Sequence, residues 1–140
     1  MASSPLSIRF ESTLLERLRR GAASRDTTPS GLAQRLVDEG LRSQDFPGIV
    51  FRDGSSGRRA GLALGPDVWD VVAALRESDL RGDIAIDTIA DELDLATSRV
   101  RVALAYYGSF ADEIDAEIEE NERAATAARQ SWESQQRLLA

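Results

Sequence analysis

Carboxylates are the abundant reactive groups of this 140-residue chain: 24 Asp and Glu stand against 17 basic residues, every one an Arg, with no His and no Cys. Without histidine, the side chain that most often moves protons or binds metals near neutral pH is missing. Without cysteine there is neither thiolate chemistry nor a disulfide framework. Acid–base work would fall to pairs such as Asp91-Glu92, but adjacent residues leave a helix on different faces. Asp53-Gly54-Ser55-Ser56-Gly57 has the glycines of a phosphate loop. It lacks the following Gly-Lys-Ser/Thr and the strand–loop–helix order that would make it one. No nucleophile–base constellation appears. These residues predict no enzyme, no catalytic group, no metal site and no cofactor. What remains is recognition.

Recognition requires charge in the right place, and here it is unevenly spread. Residues 1–44 hold seven Arg against five acids, residues 45–105 seven against eleven, and residues 106–140 three against eight. A net charge of −7 argues against a general nucleic-acid binder. A mildly basic head and an acidic tail suggest two different partners. No apolar run approaches a membrane span, and no signal peptide is visible at the N-terminus. A soluble, cytoplasmic protein is the expectation.

The elements that must position these charges are plainest in the head. Leu6-Ser7-Ile8-Arg9-Phe10 alternates apolar and polar, the period of a half-buried strand. Ser12 fits a helix N-cap, and Leu14, Leu15, Leu18 and Ala22 follow at helical spacing. Thr28-Pro29 sets a capping residue before a proline at the first position of a second helix, which Leu32, Leu36, Val37 and Leu41 continue. An isolated strand needs a partner, and the simplest is the same strand of a second copy.

The stretch "PLSIRFESTLLERLRRGAASRDTTPSGLAQRLVDEGLRS" resembles a ribbon-helix-helix domain of the CopG or MetJ-Arc type. The resemblance implies a homodimer through an antiparallel N-terminal ribbon lying in the major groove of operator DNA. Leu6, Ile8 and Phe10 would face the helices, and Ser7 and Arg9 the bases. Backbone N–H groups near Thr28 and Ser30 would meet a phosphate.

Pro47-Gly48 breaks both periodicities and marks a boundary. Ile49 to Arg52 and Arg58 to Ala63 then read as the arms of a hairpin. Arg58 and Arg59 are either partner-binding cations or solvated hairpin charges. Pro66-Asp67 opens a helix with Val68, Val71, Val72 and Leu75 on its inner face and Trp69 at its flank, where it reads as core. Gly82 separates this helix from the next unit. Residues 86–107 have a helix–turn–helix shape, with Thr97 or Ser98 as the second cap. Such a shape does not by itself imply DNA binding. The acids Asp87, Asp91, Glu92 and Asp94 favour a structural role.

Gly57-Arg58-Arg59, Asp67-Val68-Trp69, Ala103 to Tyr107 and Glu113-Ile114-Asp115 occur in one order. Together they resemble a small bacterial domain of unknown function found in VapB-type antitoxins, which pair with PIN-like toxins. With the ribbon-helix-helix head, the resemblance implies an antitoxin of a type II toxin–antitoxin system. Such a protein neutralises a PIN-like ribonuclease toxin by direct binding and represses its own operon. The alternative is a stand-alone ribbon-helix-helix transcriptional regulator with a sensing or oligomerising second domain.

The expected architecture is mainly α with short β: residues 1–44 as the ribbon-helix-helix domain, 45–109 as a hairpin plus helix-turn-helix-like domain, and 110–140 as an acidic toxin-binding helix. Residues 112–122 carry seven acids and no base. Ile114, Ile118, Ala125, Trp132 and Leu139 recur at four- and seven-residue steps, a thin stripe suited to another protein's groove. Glu119 to Arg123 and Glu133 to Arg137 are expected i,i+4 pairs. The expected toxin contacts are therefore Arg58, Arg59, Ile114, Ile118, Arg123, Trp132 and Leu139.

Overall fold

The computed structural model describes residues 2–55 and 57–140. They form two compact units, 1–41 and 42–140. Mainly helical structure with one antiparallel hairpin is observed, in the order α1 (Ser12–Ser24), α2 (Pro29–Asp45), β1 (Ile49–Gly54), β2 (Gly57–Leu62), α3 (Val68–Glu77), α4 (Gly82–Glu92), α5 (Thr97–Ser109) and α6 (Ala111–Leu139).

In the first unit the helix starts follow local chemistry. The Thr28 hydroxyl accepts the Gly31 N–H at 3.0 Å and caps α2. At α1 the expectation is corrected by one residue. Glu11, not Ser12, is the N-cap, and its carboxylate accepts the Thr13 N–H at 3.3 Å. The C-terminus of α1 closes with Asp26 in the left-handed region (φ 53°), while the Thr27 N–H bonds the Ala22 carbonyl and the Asp26 N–H that of Ala23. That double bond pattern is a Schellman cap. Asp94 repeats it at the end of α4, with Leu95 bonded to Ala90. Residues 2–11 carry no regular secondary structure within the single chain.

The second unit is built on its hairpin. Strands β1 and β2 pair from Ile49–Leu62 to Gly54–Gly57; the hairpin is where the sequence places it, but the first arm runs two residues beyond Arg52 and the second starts and ends one residue earlier than expected. Helices α3, α5 and α6 pack with the hairpin around Ile49, Leu62, Val68, Val71, Val100, Tyr106, Ile114 and Ile118, all at 5 % exposure or less. Gly82 does not separate α3 from a later unit but is the first residue of α4, with φ 65°. Ala96 is the N-cap of α5, so neither Thr97 nor Ser98 caps it. Between α5 and α6 the chain breaks at Phe110, where the ring stacks on Tyr106 at 4.6 Å, while Gly108 stays helical. Among the described residues no helix is long and apolar enough to cross a membrane.

Candidate functional site

The first unit presents its apolar face uncovered. Leu6, Ile8 and Phe10 line a trough of about 560 Å³ with Leu15, Leu18, Ala33 and Val37 of the two helices. Leu6 and Ile8 are nevertheless 81 % and 57 % exposed, and Leu36, Val37 and Leu41 also face solvent. The only apolar residues of this unit that are fully buried, among those described, are Ala22 and Leu32. Ser7 and Arg9 alternate with Leu6, Ile8 and Phe10 and are exposed, as are Thr28 and Ser30. Because Thr28 already takes the Gly31 N–H, the start of α2 offers an anion fewer backbone donors than the sequence suggests.

The second unit turns a few of its arginines inward: Arg59 is buried, and Arg42, Arg52 and Arg99 are partly buried. Asp67, the N-cap of α3, makes no side-chain cap bond. Its carboxylate instead accepts from Arg52 Nε at 2.9 Å, Trp69 Nε1 at 3.2 Å and Arg59 Nη1 at 3.5 Å. Arg59 is 7 % exposed, so this predicted toxin contact is a buried member of a charge cluster. A buried ion pair holds only when several hydrogen bonds complete it, and three donors do so here. Two glycines make room: a Cβ on Gly54 would overlap the Arg59 side chain, and one on Gly61 the Arg52 guanidinium. Arg58 lies near the hairpin tip and pairs with Asp53 at 3.4 Å. Trp69 packs partly buried against the core.

The two tyrosines that end α5 each bind one acid of α6 and one arginine from elsewhere. Arg42 donates to the Tyr106 oxygen at 2.8 Å and to Glu113 at 2.9 Å, and Tyr106 donates to Glu113 at 2.8 Å. Arg76 donates to Tyr107 at 2.8 Å and to Asp115, and Tyr107 donates to Asp115 at 2.9 Å. Burial, and then the Glu113 carboxylate, raise the Tyr106 hydroxyl above its ordinary range. The Tyr107 hydrogen bond, followed by Arg76, lowers Asp115. Sequence spacing marked these blocks but not their pairing.

Helix α6 divides at Ile118. Ile114 and Ile118, predicted to contact a toxin, are 0 % and 5 % exposed and pack within their own unit. Their partners are α3 and α5, which periodicity alone could not identify. Beyond them Trp132 and Leu139 are 59 % and 78 % exposed. Arg123 pairs with Glu120 at 3.0 Å rather than Glu119, and Arg137 donates to Ser134 rather than Glu133. Glu117 was unmarked in the sequence. It is half-buried, one carboxyl oxygen is enclosed without a hydrogen-bond partner, and burial together with Glu113 raises its pKa to about 7.

On the helix-turn-helix-like pair α4–α5, Arg99 donates to the Ala63 carbonyl and Arg101 to Asp83 at 2.8 Å. Both arginines of α5 are thus engaged within the unit. No group of three or more Asp or Glu is placed to hold a metal among the described residues. Comparison with family models, curated proteins and solved structures gave no match.

Proposed function

We propose that the chain is the antitoxin of a type II toxin–antitoxin pair: a homodimeric repressor whose first unit binds operator DNA and whose second unit holds a PIN-like ribonuclease toxin. The observation that carries the reading is the bare apolar face of residues 2–41. Leu6 and Ile8 stand 81 % and 57 % exposed, and Ser7 and Arg9 alternate with Leu6, Ile8 and Phe10 on a segment without regular secondary structure. A unit of this length rarely sustains a core without oligomerising. Pairing two such segments would cover the leucine and isoleucine and leave Arg9 outward, where it suits guanine in the major groove. Support for the toxin half is the block order from Gly57 to Asp115 and the distal half of α6, which leaves Trp132 and Leu139 in solvent. Residues 42–140 carry eleven Arg and nineteen acids, a balance suited to a basic partner.

The test is binding of the full chain to the DNA upstream of its own gene, and co-purification with the product of the adjacent reading frame. Arg9→Ala is expected to weaken the DNA complex by roughly 1–3 kcal/mol and leave the melting temperature unchanged. Equal affinity in the variant removes Arg9 from the reading face. Operator binding without any adjacent ribonuclease to inhibit would leave the stand-alone regulator instead.

A further inference from the structure

Every side chain of α6 from Glu122 to Leu139 is exposed, yet this bare length has one apolar face. Asn121, Ala125, Ala128, Trp132, Gln135 and Leu139 follow alternate steps of four and three residues, the spacing that keeps one helix face against a second helix. Ala124, Ser131 and Leu138 border that face on one side, and Glu122, Arg129 and Gln136 on the other. Arg123 and Arg137 lie on the opposite side of the helix. The three large apolar side chains, Trp132, Leu138 and Leu139, are 59 %, 86 % and 78 % exposed. Size is sorted along the face. Ala124, Ala125 and Ala128 fall in its first half, and the three large side chains in its second. A reversed copy of the same face therefore presents large side chains to small ones.

We infer that this face pairs with the same face of a second copy, antiparallel, about a two-fold axis at Gln130. Gln130 is the midpoint of 121–139, so this register covers the whole bare face. It sets Trp132 against the other copy's Ala128, Leu139 against its Asn121 and Leu138 against its Ala124. Large against small is how facing helices interdigitate without voids. A parallel pair would set Trp132 on Trp132 and hold the alanines apart, and an unrelated protein's groove would require no such order of sizes. The two Arg129 side chains approach across the axis, each with Glu133 one turn further along its own helix. An antiparallel pair has the two-fold symmetry of a homodimer. Three large side chains per helix are too few to join two free chains, so the pairing draws on the effective concentration within a dimer already formed. The inference rests on the homodimer of the proposed function and adds a second contact to it. A protein partner that takes the same face must first part the two tails.

The chain holds no cysteine, so introduced thiols report on their own positions. In the full chain, Ser131→Cys should be joined to its copy by a short bifunctional thiol reagent. Ala124→Cys and Leu138→Cys, each alone, should not, because the antiparallel register holds each about 21 Å from its own copy. Refolded together, those two variants should join to each other. Adding Trp132→Glu to Ser131→Cys should cut the joined fraction at least fivefold with the dimeric mass retained. A dimer that joins at all three positions is parallel and overturns the inference. So does a dimer that joins at none, or one whose joined fraction ignores Trp132→Glu. A native chain that sediments as a monomer removes the homodimer reading together with this inference.

Discussion

Glu117 is the residue whose environment departs furthest from its sequence context. It lies in a run of acids that reads as a solvated face, yet one oxygen is enclosed. The neighbouring charges are Glu113 on its own helix, Asp67 at the start of α3 and Arg59 on β2, and only the arginine favours the ionised form. Its pKa rises from an ordinary 4.5 to about 7. In that interval the folded unit keeps a proton that the unfolded chain releases. Linkage then makes stability fall as pH increases: this contribution is intact below pH 4.5 and is lost as pH rises through about 7. Glu117→Gln mimics the protonated acid. Thermal melts should place it level with the native chain near pH 5 and several degrees above it near pH 8; parallel curves would mean the carboxyl is hydrated. Nothing in the sequence separates Glu117 from its acidic neighbours, because the difference comes from strand and helix residues fifty positions away. The same holds for Arg59. Its charge was legible, but its partner Asp67 meets it only across the folded hairpin. Caps were legible where they are local: Thr28-Pro29 starts α2 as expected, while Ser12 and Thr97 lost their caps to Glu11 and Ala96, each one position earlier.

Among the elements, α6 was legible in extent and not in attachment. Its 29 residues span about 44 Å, close to the continuous helix expected, and its apolar stripe has the expected period. A stripe does not state what covers it. Ile114 and Ile118 are covered by α3 and α5, and the Tyr106–Glu113 and Tyr107–Asp115 bonds tie the same two turns to α5. Helix α6 therefore divides by burial, with a core-forming start and a bare end. A chain ending at Ser109 should not fold its second unit, since loss of each buried isoleucine costs about 2–5 kcal/mol against a total of about 5–15 kcal/mol for a domain. A chain ending near Arg123 should keep its circular dichroism and melting temperature and lose affinity for the protein partner. If the shorter chain melts cooperatively like the native one, α6 is not part of the core.

At the scale of the molecule, the two units differ in how they close. Residues 42–140 surround a core in which Val68, Val71, Val100, Tyr106 and Ile114 are completely buried. Residues 1–41 bury only Ala22 and Leu32 among their described apolar side chains, while Leu36, Val37 and Leu41 stand about half exposed along α2. Such a unit would be completed by a second surface covering it, and on the proposed reading a second copy of 2–11 would supply both the missing apolar face and a backbone partner. Stability of this unit should then depend on protein concentration, whereas that of residues 42–140 should not. Two melting transitions are expected, with only one moving to higher temperature as the chain is concentrated. Ile8→Glu puts a charge where the paired faces would meet. It should abolish the concentration-dependent transition, halve the mass seen by sedimentation equilibrium, and leave the other transition in place. Operator binding should disappear with the dimer, because a single extended segment makes no ribbon. A variant that stays dimeric, or a native chain whose two transitions both ignore concentration, would place the dimer contact outside residues 2–11, or remove it.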